Sequence, residues 1–184
     1  MLNDSIIREA LTKLGERLGS GHDIEILLIG GAAGILTGQL SGLTTADVDA
    51  IHFRLATDRD AVLDAAAEVG DELQLPVNWL NDWGALYRWT LPDDWEKRRI
   101  EIGIFGRLRV YAVSRVDLIS MKIISHREHD LEHLFQMKMT SHEKSVVHRY
   151  LDVLVERYPV EQYPEHAGRI EMARQYLNEW KVET

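Results

Sequence analysis

The chain has 184 residues, a formal net charge of -9, 45% hydrophobic residues and no cysteine. This composition is typical of one globular domain, or one with a small appendage, and it excludes a disulfide framework. The negative balance disfavours broad DNA binding, because neutralising the phosphate backbone needs clustered Lys and Arg. The sequence contains no run of about 18 apolar residues, so no membrane span is predicted. The N-terminus lacks the basic start and the apolar block of a signal peptide. We therefore expect a cytoplasmic protein.

The first two-thirds of the chain alternates helical and strand patterns. Helices are predicted where apolar residues recur at helical spacing, over 3–18, 31–40 and 58–73. Strands are predicted where short segments are apolar or alternate in polarity, over 24–30, 47–53, 99–106 and 108–114. Asn3 or Asp4 can cap the first helix, Gly19 can end it, and Thr57 or Asp58 can cap the third.

The remaining segments complete the predicted architecture. The Trp-rich segment 75–98 is interpreted as short helix and loop, and Gly106 with Arg107 as a hairpin turn. From Ser114 onward the pattern is helical, over 116–125, 130–137, 141–158 and 166–180. The fold class is therefore α/β (α+β), a mixed sheet flanked by helices with a C-terminal helical segment. We expect a core over 1–113 and a helical segment over 114–184 that packs on it as one folding unit.

Two aspartates stand two positions apart in the predicted strand 47–53. Asp47 and Asp49 therefore project to one face, where two carboxylates repel unless a cation lies between them. Mg²⁺ prefers such oxygen ligands together with substrate phosphates. Glu101 is a third candidate, because it opposes the apolar face of its own strand. If that strand neighbours 47–53, the three acids could hold two metal ions roughly 3.5–4 Å apart. The alternative is that the pair only caps a loop-to-strand junction.

A glycine pair, Gly30 and Gly31, ends a predicted buried strand and opens a helix. The first backbone amides of a helix have no internal partner and carry partial positive charge, so such a terminus can bind phosphate. No Gly-Lys-Ser/Thr follows, and the G-x-G-x-x-G spacing is missing, which excludes the two common nucleotide-binding loops. A tight turn without a ligand is the alternative.

The order of these segments resembles the DNA-polymerase-β-like nucleotidyltransferase superfamily. There a Gly-Gly or Gly-Ser turn precedes an Asp-x-Asp strand and a third acid; here the turn is "IGGAA" and the strand is "TTADVDAI". The resemblance implies a nucleotidyltransferase-like sheet in which the glycine turn and Thr45 hold a nucleoside triphosphate. It also implies that two Mg²⁺ ions lie on Asp47, Asp49 and Glu101.

The stretch "AVSRVDLISMKIISHREHDLEHL", residues 112–134, is similar to one in abortive-infection-type toxin nucleotidyltransferases and related bacterial families. The similarity implies that Lys122 lies beside the triphosphate, and that Asp130 orients this lysine or accepts a proton from the attacking hydroxyl. The alternatives are a Lys122 that extends along the protein surface to reach solvent, and an Asp130 that caps a helix. In all, the resemblance covers roughly residues 24–134.

The sequence therefore predicts a Mg²⁺-dependent nucleotidyltransferase that transfers a nucleoside monophosphate from an NTP to a hydroxyl acceptor. A tRNA end, a protein or a small molecule can be that acceptor, and the resemblance suggests a toxin–antitoxin role with a cognate antitoxin. One alternative is an inactive nucleotidyltransferase fold kept as a binding scaffold or antitoxin partner. Another is a zinc metallopeptidase, because "HDLEH" places His129 and His133 one helical turn apart.

Overall fold

The computed structural model describes residues 1–53 and 55–181. The α-helices are α1 (Asp4–Leu18), α2 (Gly30–Leu36), α3 (Ala56–Leu73), α4 (Arg115–Ser125), α5 (Glu128–Met137), α6 (Ser141–Arg157) and α7 (Pro164–Glu179). The strands are β1 (Ile24–Leu28), β2 (Val48–Phe53), β3 (Leu80–Asn81), β4 (Ile100–Phe105) and β5 (Leu108–Ala112). Two 3₁₀ helices, Trp83–Thr90 and Trp95–Lys97, lie between β3 and β4.

The strands form one mixed sheet in the order β3-β2-β1-β5-β4. The central strand β1 pairs antiparallel with β2 and parallel with β5. β3 extends the sheet parallel to β2, and β4 extends the other edge antiparallel to β5. The predicted fold class, a mixed sheet flanked by helices with a helical C-terminal segment, is confirmed.

Local signals set the ends of several elements. Asn3 accepts a hydrogen bond from the backbone N–H of Ile6 at 2.9 Å and so caps α1, and Gly19 ends that helix with a φ of 66°. Gly106 has a φ of 59° in the predicted hairpin turn between β4 and β5. Glycine suits both turns because it adopts positive φ without a steric cost.

The predicted cap of α3 is wrong. The helix begins at Ala56, with Leu55 as the N-cap residue and no side-chain cap. Asp58 instead lies within the first turn, buried, and its Oδ1 is 2.7 Å from Nε2 of His22. The carboxylate therefore tethers the loop that precedes β1, a contact that helix periodicity does not reveal.

Helix α4 is the most deeply buried element of the C-terminal half. Every residue from Asp117 to Ser125 is buried, because α4 packs against α2, α5, α6 and α7. On the other part of the sheet, α1 packs against α3 and β4. In the described ranges no helix combines the length and the hydrophobicity that crossing a bilayer requires.

Two glycine substitutions test this packing. A β-carbon on Gly15 of α1 would overlap the backbone carbonyl oxygen of Phe105 in β4, whereas one on Gly168 of α7 would meet no heavy atom within 4 Å. Gly15→Ala is expected to lower the free energy of unfolding by about 1–3 kcal/mol, because backbone must move to relieve the overlap. Gly168→Ala is expected to raise it by about 0.5–1 kcal/mol, because alanine favours helix.

Chemical denaturation of both variants and of the wild type measures these differences. A Gly15→Ala variant as stable as Gly168→Ala would contradict the close contact between α1 and β4.

Candidate functional site

A cavity of about 610 Å³ lies beside the end of β1 and the start of β2. The glycine turn, the Asp-x-Asp segment, the 3₁₀ helix after β3, α4 and α5 all contribute to its wall. The predicted site residues that line it are Gly30, Gly31, Thr45, Asp47, Asp49, Lys122 and Asp130. The structure thus brings together residues that lie up to 100 positions apart in the sequence.

Glu101 does not belong to this cavity. It lies on β4, which β5 and β1 separate from β2, and its side chain is exposed. The prediction that its strand neighbours β2, so that three acids meet, is therefore wrong. β4 is an edge strand on which no residue is fully buried. An acid there faces water and needs no cation.

Asn81 lies where the third acid was expected. β3 pairs with β2 in parallel, and this register sets Asn81 beside Asp49. The amide is oriented by the backbone N–H of Trp83, which donates to its Oδ1 at 2.9 Å, so that Nδ2 donates to Oδ2 of Asp47 at 3.3 Å. Gly84 supplies a further hydrogen bond, from its backbone N–H to the carboxylate of Asp49.

The two aspartates carry negative charge that the protein does not neutralise. Burial, followed by the charge of Asp47, raises the pKa of Asp49 from 3.8 to about 6. In the parts of the chain that the structure describes, neither aspartate has a salt-bridge partner, because Lys122 and Arg127 in the same wall pair with Asp130. A cation that entered the cavity would therefore meet two carboxylates with available lone pairs.

The glycine turn approaches these acids so closely that larger residues do not fit. Gly30 has a φ of 66°, and a β-carbon there would lie 3.1 Å from Oδ2 of Asp49. A β-carbon on Gly31 would lie 2.8 Å from Oγ1 of Thr45. No side chain caps α2 at Ile29, so the first backbone N–H groups of the helix have no capping side-chain oxygen.

Lys122 and Asp130 form a buried ion pair across the cavity wall. Nζ lies 2.8 Å from Oδ1, and the side chains are 3% and 2% exposed. Ser125 and Arg127 donate to the other carboxylate oxygen at 2.6 and 2.8 Å. Burial alone would raise the pKa of Asp130, but the charge of Lys122 and these hydrogen bonds lower it to about 2. Lys122 therefore does not reach out to solvent, and Asp130 does more than cap α5.

The "HDLEH" segment gives no support to a zinc site. The rings of His129 and His133 lie 6.0 Å apart between centroids, and Nδ1 of His133 is already in hydrogen-bond contact with Nζ of Lys122 at 2.9 Å. Across residues 1–53 and 55–181, no three His, Cys, Asp or Glu side chains are grouped as metal ligands.

The Trp-rich segment forms an aromatic wall that sequence patterns did not reveal. Trp83 is 61% exposed and lines the cavity together with Tyr87. The guanidinium of Arg127 lies 5.7 Å from the centroid of the Tyr87 ring. The high tryptophan content of this segment could have indicated an aromatic surface, but only the 3₁₀ geometry shows which of the rings line the cavity.

Asp49→Asn is expected to stabilise the ligand-free protein at neutral and higher pH. Because folding raises the pKa of Asp49 to about 6, the stability linked to this group is full below pH about 4 and is lost as the pH rises through about 6. The variant escapes that loss and should gain about 3 kcal/mol in the free energy of unfolding at pH 8, and little at pH 4.

Denaturant titrations at both pH values measure this gain. Asp64→Asn, which changes an exposed aspartate of α3, is the matched control and should show no such pH dependence. An equal effect of Asp49→Asn at pH 4 and pH 8 would mean that folding does not raise the pKa of Asp49.

Comparisons with known proteins agree with the chemistry of this cavity. A family model described as a nucleotidyltransferase of unknown function, DUF6036, matches residues 7–158, more than four-fifths of the chain. No curated protein and no solved structure matches the sequence. The matched range contains the glycine turn, both aspartates, Lys122 and Asp130. The chain belongs to this nucleotidyltransferase family, DUF6036.

Proposed function

We propose that the protein is a Mg²⁺-dependent enzyme that transfers a nucleoside monophosphate from an NTP to a hydroxyl acceptor. The observation that supports this most is the uncompensated pair Asp47 and Asp49 beside the glycine turn, in a cavity that also holds the ionised Lys122. Family membership supports nucleotide chemistry in general. The metal, the reaction and the acceptor are the proposal.

Asp47 and Asp49 are the residues that would hold Mg²⁺. Their chemistry fits this ion, because Mg²⁺ takes one or two carboxylates and completes its coordination with water and substrate phosphates. The two ions expected from the sequence would share these two carboxylates, since Glu101 lies on the far edge of the sheet. Bound Mg²⁺ would neutralise the developing charge on the phosphates.

The opposite wall supplies donors for the phosphates. The backbone N–H groups of Gly30 and Gly31 and the hydroxyl of Thr45 line the cavity next to the aspartates, and we assign them to the triphosphate. Lys122 has three N–H donors, of which its bonds to Asp130 and His133 use two. Among the described residues the third N–H has no hydrogen-bond acceptor, so we assign it to a phosphate oxygen, and Asp130 orients the ammonium for that contact.

In the reaction, the acceptor oxygen attacks the α-phosphorus of the NTP. The bond from that phosphorus to the acceptor oxygen forms, the bond to the oxygen that bridges to the β-phosphate breaks, and pyrophosphate leaves. A carboxylate oxygen of Asp49, which lines the cavity beside the glycine turn, accepts the proton of the acceptor hydroxyl. Positioning and charge neutralisation provide most of the catalysis in such transfers.

The exposed ring of Trp83 is assigned to the nucleobase. Bases stack on aromatic side chains with about 1–3 kcal/mol each, and Trp83 stands at the cavity wall next to the segment that orients both aspartates. A base stacked there would leave its phosphates within the cavity.

The proposed chemistry leaves the acceptor open, and the cellular role is inferred from resemblance. A tRNA end, a protein hydroxyl and a small molecule all fit the chemistry of the proposed reaction. The similarity of residues 112–134 to abortive-infection-type toxins suggests a toxin with a cognate antitoxin.

A nucleotide-binding scaffold or antitoxin partner without turnover is the second candidate. It is favoured by Asn81, because β3 places an amide beside Asp49 where a third carboxylate was expected. Under this function the protein would bind Mg²⁺ and NTP, yet label no acceptor.

Transfer can be tested with NTPs labelled at the α-phosphate. Wild-type protein, Mg²⁺ and cell extract are incubated with each of the four NTPs, and transfer of label to an acceptor is measured. The double variant Asp47→Asn/Asp49→Asn is expected to lose the activity by about 10²–10⁴-fold or more, because it removes both the metal ligands and the proton acceptor. Glu101→Gln is the matched control and should keep wild-type activity, since Glu101 lies outside the cavity.

The outcomes separate the candidates. Label with wild type and with Glu101→Gln, but not with the double variant, supports transfer at this site. NTP binding without label from any of the four nucleotides favours the scaffold, and loss of activity in Glu101→Gln would contradict the site as placed here.

A further inference from the structure

The hydrogen bond between Lys122 and His133 fixes which imidazole nitrogen carries a proton. Nζ of Lys122 lies 2.9 Å from Nδ1 of His133. A lysine ammonium has only donors. Burial lowers the pKa of Lys122, but the ion pair with Asp130 at 2.8 Å opposes this and favours the ammonium form. Nδ1 must therefore be the acceptor, and a neutral imidazole then carries its single N–H on Nε2.

The surroundings keep this imidazole neutral. Burial, followed by the charge of Lys122, lowers the pKa of His133 to about 4, and the smaller opposing effect of Asp130 does not cancel them. His129 and Arg127 add repulsion of the same sign as Lys122. At neutral pH His133 is therefore a hydrogen-bond donor at Nε2 without a charge of its own.

The imidazole ring of His133 lies beside the glycine turn. His133 lines the same cavity as Gly31, and its Cε1 lies 3.8 Å from the position that a β-carbon on Gly31 would take. Cε1 is bonded to both ring nitrogens, so this edge of the imidazole lies beside the turn, and the two nitrogens differ in what they contact. Among the described residues no acceptor is hydrogen-bonded to Nε2, whereas Nδ1 is occupied.

We propose that His133 is a nucleotide-binding residue whose Nε2–H donates a hydrogen bond to a phosphate oxygen of the triphosphate at the Gly30–Gly31 turn. Lys122 acts through it as a positioning residue, because its bond to Nδ1 selects the tautomer that points a proton at the phosphate. The polarised imidazole extends the influence of the buried ammonium into the cavity. This inference rests on the proposed nucleotide site and adds a donor from α5.

Two substitutions at position 133 separate hydrogen bonding from packing. His133→Leu removes the donor, whereas His133→Gln keeps an acceptor for Lys122 and an N–H₂ donor for the phosphate. Isothermal titration calorimetry with Mg²⁺ and ATP, and with Mg²⁺ and inorganic triphosphate, measures the affinity of each. We expect His133→Leu to bind both probes about tenfold more weakly, as for a lost hydrogen bond to a charged group. His133→Gln should restore most of this affinity.

His142→Gln is the matched control. It makes the same chemical change on an exposed histidine of α6 outside the cavity wall, and its affinities should equal those of the wild type. Thermal melts of all variants report whether any of them is unfolded.

A second measurement observes the tautomer of His133 directly in the wild-type protein. Nitrogen-15 NMR of histidine-labelled wild-type protein should show Nε2 of His133 protonated and Nδ1 unprotonated, with the His133→Gln spectrum assigning the signal. Addition of inorganic triphosphate with Mg²⁺ should move the Nε2 resonance of His133 and leave that of His142 in place.

The results distinguish this inference from the site on which it rests. If the wild type binds triphosphate but His133→Leu binds it equally well, or if the proton lies on Nδ1, the role of His133 is overturned while the proposed site stands. If the wild type binds neither ATP nor inorganic triphosphate, both the site and the role of His133 are overturned.

Discussion

The mutual repulsion of Asp47 and Asp49 is the constraint on which the rest of the cavity depends. A fold normally places a cation beside such a pair, because unpaired buried charge is costly. Here the basic side chains of the same wall, Lys122 and Arg127, are bound to Asp130 instead. The donors that do reach the pair are neutral: the amide of Asn81 and the backbone N–H of Gly84. They orient the carboxylates but leave their charge in place.

The sheet order explains how distant segments meet at this pair. β1 and β2 are antiparallel neighbours, so the glycine turn after β1 and the two aspartates around the start of β2 lie at the same end of these strands. β3 adds Asn81 from the side, and the packing of α4 against α2 brings the buried ammonium of Lys122 to the same place. Each contribution requires the fold as a whole, because no short segment holds both the acids and their donors.

Sequence patterns predict most of the secondary-structure elements, but they do not predict which elements lie next to one another in the fold. Strands β1, β2, β4 and β5 and the glycine turn follow from local patterns, although β2 begins at Val48, one residue after Asp47. Strand order does not follow from such patterns. The sequence predicts Glu101 on a strand beside β2, whereas β4 lies at the opposite edge of the sheet. β3 has only two residues, too few to produce an alternating pattern, so Asn81 was missed. Helical spacing showed that His129 and His133 share a face, but not that Lys122 occupies one nitrogen of His133.

The charges also determine how a triphosphate could enter the proposed site. Four carboxylates line the cavity, those of Asp47, Asp49, Asp130 and Glu132, and they outnumber the cations of Lys122 and Arg127. A polyanion therefore meets a wall that is already negative when Asp49 is ionised. Lys122 cannot offset this negative charge alone, because its ammonium is paired with Asp130, whose pKa it helps to lower to about 2. Neutral donors such as the turn amides and the Nε2–H of His133 bind phosphate without changing that balance. A divalent cation at Asp47 and Asp49 reverses it, and for this reason nucleotide and metal should bind together rather than independently.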